Sequence, residues 1–123
     1  MRDNLPLVLV DRQRIGYVFA NLLTNAIKHS PADGEVRLRA TRTDDHAIQF
    51  TVADDGPGIP PQYQQRIFDR FFRVPGQTRT GAGLGLSIAR EIAVAHGGRI
   101  SVKSAPGHGA TFYLELKAVD GAA

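Results

Sequence analysis

The hydrophobic period of this chain switches between that of a helix and that of a strand, and the switching constrains its fold more than any single residue. Behind Asp11, a residue type that caps helices, Ile15, Val18, Phe19, Leu22, Leu23 and Ala26 recur at helical spacing and predict a helix ending near His29. "LPLVLV", Leu5 to Val10, reads as a short strand ahead of it. After the break at "SPADG", the segments "EVRLRATR" and "AIQFTVAD" alternate apolar and polar residues as half-buried strands do, joined by the turn "TDDH". Beyond the second break, "DGPGIPP", a short helical stretch is expected over 62–72, and then a flexible loop, "RVPGQTRTGAG". The next helix carries Leu84, Ile88, Ile92 and Ala95 on one face and ends at Gly97 and Gly98, residues suited to a C-cap. "RISVKS" and "ATFYLELK" then form a closing hairpin around "APGHG". The order βαββααββ predicts an α/β two-layer sandwich: a mixed, mainly antiparallel sheet of about five strands, covered on one face by about three helices.

At 123 residues the chain reads as one domain over 1–118, long enough to bury a core, with a flexible tail over 119–123. With no cysteine it has no disulfides, thiolate metal sites or cysteine nucleophiles, which fits a reducing compartment. No apolar run approaches the roughly 20 residues of a membrane span, so the chain as given is expected to be soluble and to make no membrane contact. A net charge of +3 suits a phosphate-bearing ligand and is too weak to argue for nucleic acid.

Three features stand apart from the packing pattern. Asn21, Asn25 and Lys28 fall in one sector of the first helix, roughly 60° wide. A wet helix face is the ordinary meaning of such a stripe, but asparagine is a mediocre helix former and its amide oxygen is a hard, neutral ligand suited to Mg²⁺. At the end of an apolar strand, "DDGPGIP" places Asp54 and Asp55 before Gly56, Pro57, Gly58 and Ile59. This is either a surface turn or a carboxylate set to accept a hydrogen bond from an amino group such as the N6 of adenine, while repelling the O6 of guanine. Finally, Gly81, Gly83 and Gly85 alternate just ahead of a helix. A dinucleotide fingerprint fails there, because Leu86 stands where its third glycine belongs, and a P-loop fails for want of a following Gly-Lys-Ser/Thr. An anion-binding loop and a plain hinge remain.

Taken together, these segments resemble the ATP-binding catalytic domain of bacterial sensor histidine kinases, in the wider family that also holds gyrase and MutL. The likeness covers about Leu7 to Leu116: "NLLTNAIKHS" looks like the N box, "DDGPGIP" the G1 box, "RIFDRFFR" the F box, "TGAGLGLSIAREIAVAHGGRI" the G2 box with its trailing helix, and "GHGATFYLEL" the closing strand. The resemblance implies the Bergerat fold and transfer of the γ-phosphoryl group of Mg-ATP to a histidine on a separate dimerisation domain of the same parent protein, with a response regulator downstream. It also implies a cytoplasmic place, as part of a membrane-bound sensor. The same fold serves anti-sigma-type serine kinases and non-catalytic ATP-binding modules, and these are the alternatives.

Residue by residue, the resemblance implies that Asn25 coordinates Mg²⁺, that Asn21 lies near the phosphates or the water shell of the ion, and that Lys28 meets phosphate oxygens. It puts His29 beside the nucleotide, Asp55 on the adenine N6 with Thr111 nearby through a water, and Gly56, Gly58 and Ile59 against the base. Phe68, Phe71 and Phe72 would anchor a lid or pack beneath it, and Arg73 would neutralise the γ-phosphate. Gly81, Gly83 and Gly85, with Leu84 and Leu86, would present backbone N–H groups to the phosphates at a helix N-terminus. Because an amide cannot act as a base, Asn21 implies slow intrinsic hydrolysis of ATP. His46, His96 and His108 read as surface histidines, and Arg66, Arg70 and Arg79 as solvated charges.

Overall fold

A computed structural model of the chain describes residues 11–43, 47–72, 85–105 and 107–117. Helix α1 spans Arg12–His29, and the Asp11 side chain caps it by accepting the Arg14 N–H at 3.2 Å. Its predicted apolar stripe is the face that packs: Ile15, Val18, Leu22 and Ala26 are buried, while Phe19 and Leu23 lie half-buried against the same core. Strands β1 (Arg37–Arg42), β2 (Ala47–Asp54), β3 (Arg99–Ser104) and β4 (Ala110–Lys117) form one antiparallel sheet in the order β1-β2-β4-β3. The register pairs Asp54 with Ala110, so the ends of β2 and β4 meet. Alternation sends Ile48, Phe50, Val52 and Asp54 of β2, and Ala110, Phe112, Leu114 and Leu116 of β4, toward the helices.

Helix α2 spans Gly85–Ala95 and packs on α1 and the sheet. Its buried face differs from the predicted one: Ala89 and Ala93 are fully buried and Ala95 is exposed, while Leu84 lies outside the described residues. Small side chains bring the two helices close, a role that a search for large apolar residues overlooks. The helix ends in a Schellman motif, with Gly97 at φ 76° and the Gly98 N–H bonded to the Ala93 carbonyl at 2.9 Å.

The described sheet is antiparallel and four-stranded, and the strand expected over 5–10 lies outside the described residues, as do His46 and the tail. Two sequence expectations change. The helix expected over 62–72 is instead two short 3-10 turns, Pro61–Tyr63 and Arg66–Phe68, so two α-helices and this pair of turns stand where about three helices were expected. Phe71, at φ 64° and 66% exposed, closes that segment in a left-handed conformation no helix continues. His96 is more than a surface residue: its Nδ1 bonds the Ile92 carbonyl at 2.9 Å, and its Nε2 accepts the Asp11 N–H at 3.0 Å, joining the end of α2 to the cap of α1. A carbonyl only accepts, so the ring carries its proton on Nδ1.

Candidate functional site

The last two turns of α1, the end of β2, residues 57–59 and the start of β4 line a cleft open to solvent, formed by Asn25, His29, Asp54, Pro57, Gly58, Ile59, Ala110 and Phe112.

Asp54 is the carboxylate of the cleft. It is only 4% exposed, and its Oδ1 accepts the Gly56 N–H at 2.8 Å. Asp55, predicted for this role, points the other way. Its Oδ2 accepts the Glu35 N–H at 2.9 Å and its Oδ1 the Arg37 guanidinium at 3.1 Å, tying the approach to β1 to the end of β2. The Glu35 N–H and then Arg37 hold the Asp55 carboxyl below its ordinary pKa. The physical reason for the correction is the pleat: Asp54 continues the inward series of Val52, and its neighbour must leave it. Thr111 fails for the same reason. It sits between Ala110 and Phe112 and so faces the opposite side of the sheet from the cleft. Counting by two from Val52 and from Phe112 finds both answers in the sequence.

Asn25, singled out in the sequence as a ligand for Mg²⁺, lines the cleft. It is 7% exposed, and among the described residues no hydrogen bond reaches its carboxamide. His29, one turn on, gives its Nδ1 proton to the Asn25 carbonyl at 2.8 Å, which holds the ring against the cleft wall. Asn21, one turn back, lies half-buried, with Nδ2 donating to the Tyr17 carbonyl at 3.1 Å and Oδ1 against the Cα of Gly85. Lys28 is exposed in the last turn.

The loop that carries Gly56, Gly58 and Ile59 is cross-tied to the β3–β4 turn by residues the sequence did not single out. Ser104 Oγ accepts the Ile59 N–H and donates to the Gly109 carbonyl, both at 2.7 Å. Gln64 Nε2 donates to the carbonyls of Ile59 and Ser104 at 2.9 and 2.8 Å, and the Gly107 N–H reaches the Pro57 carbonyl at 2.7 Å. Nothing in the local sequence marks Ser104 or Gln64, because their partners are backbone groups up to 45 residues away.

Phe68 and Phe72 pack rather than line the cleft, and Phe71 is exposed. Phe68 is buried edge-on against Phe112, centroids 6.3 Å apart, and so supports the cleft wall from behind. Phe72 stacks on Tyr63 at 5.7 Å and lies under the Arg66 guanidinium at 4.6 Å. Arg70 pairs with Glu91 at 3.2 Å. Gly85 begins α2, and Leu86 is half-buried against the core. Arg73, Arg79, Gly81, Gly83 and Leu84 lie outside the described residues.

A family described as "Histidine kinase-, DNA gyrase B-, and HSP90-like ATPase" matches residues 10–120. The chain belongs to this ATPase family. Similar relatives include the alginate biosynthesis sensor protein KinB of Pseudomonas aeruginosa, 47% identical over 93% of this chain and 19% of KinB. The adaptive-response sensory kinase SasA of Synechocystis sp. is 43% identical over 92% of this chain and 30% of SasA. The chain thus spans less than a third of the length of these curated relatives. Among solved structures, the mycobacterial sensor histidine kinase MprB superposes with a TM-score of 0.84 at 34% identity, covering 91% of this chain and 78% of that one. Full-length ShkA, solved in complex with AMPPNP, superposes with a TM-score of 0.85 at 38% identity, covering 97% of this chain and 24% of ShkA. In this member of the ATPase family, no described helix is long and apolar enough to cross a membrane.

Proposed function

We propose that this domain binds Mg-ATP in the cleft and transfers the γ-phosphoryl group to a histidine on a separate dimerisation domain of its parent sensor kinase, which then serves a response regulator. One observation carries the reading: a buried carboxylate, Asp54, and a buried carboxamide, Asn25, unpartnered among the described residues, share one cleft beside a tied glycine loop. The AMPPNP bound to ShkA supports a nucleotide as the ligand. The sensor-kinase relatives favour histidine over serine as acceptor. ATP places the reaction on the cytoplasmic side.

Asp54 replaces Asp55 as the acceptor for the adenine N6. A guanine would set its O6 acceptor against the same carboxylate, so Asp54 selects the base. Asn25 fits Mg²⁺, because its amide oxygen is a hard, neutral donor with no hydrogen-bond partner among the described residues. Among the described residues no acidic or histidine cluster could hold the ion alone, which suits an ion that arrives with the nucleotide. Bound there, Mg²⁺ would offset phosphate charge. Lys28 adds a cation on the same helix face, Arg73 is assigned to the γ-phosphate, and the glycines of 81–85 to backbone N–H contacts. Asn21 has no basic group with which to activate water, so transfer prevails over hydrolysis.

The test mixes the domain with the purified dimerisation domain of its parent and γ-labelled ATP. Acid-labile label on the dimerisation domain is expected. Acid-stable label would indicate a serine kinase, and no label a binding module.

A further inference from the structure

We propose that Gly85 is a positioning residue: it leaves open the space that Asn21 occupies, and so fixes the Asn21 carboxamide at the head of α2. The proposal rests on the phosphate-end reading above for its functional consequence, but its structural content stands apart from it.

Gly85 stands in α2, where alanine would favour a helix interior by roughly 0.5–1 kcal/mol, so a glycine there needs a reason. Close approach supplies one. A methyl group on Gly85 would collide with Oδ1 of Asn21. The other tightly approached glycines meet something different: Gly56 faces the His29 carbonyl, Gly58 that of Ala105, Gly98 that of Glu115, and Gly109 that of Asp54. A backbone carbonyl yields only if its strand, helix or turn moves. A carboxamide yields by rotating, at the cost of the hydrogen bond from Asn21 Nδ2 to the Tyr17 carbonyl. Substitution at Gly85 therefore spares the fold and dislodges Asn21.

The experiment is a double-mutant cycle on Gly85→Ala and Asn21→Ala, read as the affinity for Mg-AMPPNP, with thermal melting and the side-chain amide NMR signals of Asn21 measured on the same proteins. Gly85→Ala is expected to weaken binding about tenfold alone and less than about twofold when Asn21 is already alanine, because coupled residues are non-additive. Its melting midpoint should hold or rise, and the Asn21 amide signals should shift without nucleotide. Equal weakening in both backgrounds, a collapsed melting midpoint, or unmoved Asn21 signals would each overturn the proposal. If Asn21→Ala alone abolishes binding, the NMR signals decide. If the wild type does not bind AMPPNP while the Asn21 signals still shift, the ATP reading fails and the positioning role survives.

Discussion

The β2 end of the cleft and the head of α2 are built in different ways. At the β2 end, Asp54, Gly58 and Ile59 are held by backbone and side-chain hydrogen bonds that run to β3, to the β3–β4 turn and to the 3-10 segment, and the glycines there meet carbonyl oxygens. At the head of α2, Gly85 meets, among the described residues, only the end of one short side chain. In the proposed function, the cross-ties keep one carboxylate in place for recognition, and the single side chain at the head of α2 leaves room for adjustment when charge arrives. The difference predicts that substitutions at the glycines of the β2 end act on folding and substitution at Gly85 acts on binding.

The largest effect tests the cross-tied end. Gly58→Ala must place a side chain at φ 83° against the Ala105 carbonyl. It is expected to lose about 2–4 kcal/mol of stability and to lower the melting midpoint by about 10 °C, in contrast to Gly85→Ala. An unaltered midpoint would erase the contrast. Next, Ser104→Ala strands the Ile59 N–H and the Gly109 carbonyl. A loss of about 1–2 kcal/mol in urea denaturation is expected, and Ser104→Thr should restore most of it by returning the hydroxyl.

A smaller effect lies on the outer side of the β2 end. The lowered pKa of Asp55 means that its ion pair and hydrogen bond stabilise the fold fully above the ordinary carboxyl value of about 3.9 and lose that contribution as pH falls through the depressed folded value. Melting midpoints of the wild type and Asp55→Asn, compared across pH, should therefore differ most above about pH 4 and converge in more acid solution. Smallest is Arg70→Ala, which removes an exposed pair with Glu91 and should move the midpoint by no more than about 2 °C.

Much of this was legible in the residues. The capped amphipathic α1, both hairpins and the glycine end of α2 each carry a local signal: a capping Asp11, a period, a Gly97-Gly98 pair. Three things were less so. The stretch over 62–72 holds helix-forming residues, but Pro60 and Pro61 restrict its start and Phe71 turns left-handed at its end. The packing face of α2 is marked by alanines, which contribute closeness rather than bulk. The ties from Ser104 and Gln64 join segments distant in sequence through backbone partners, and these have no residue-type signature. Asp54 belongs to a different class. The two adjacent aspartates are chemically identical, and only the strand pleat separates the buried one from the one bound to Arg37.

That separation gives the most direct measurement. Mg-AMPPNP is titrated calorimetrically into the wild type, Asp54→Asn and Asp55→Asn. The expected result is affinity within about twofold of wild type for Asp55→Asn and a loss of about tenfold or more for Asp54→Asn, whose neutral amide cannot replace the carboxylate. Retained affinity in Asp54→Asn with a loss in Asp55→Asn would contradict the placement of the base against Asp54.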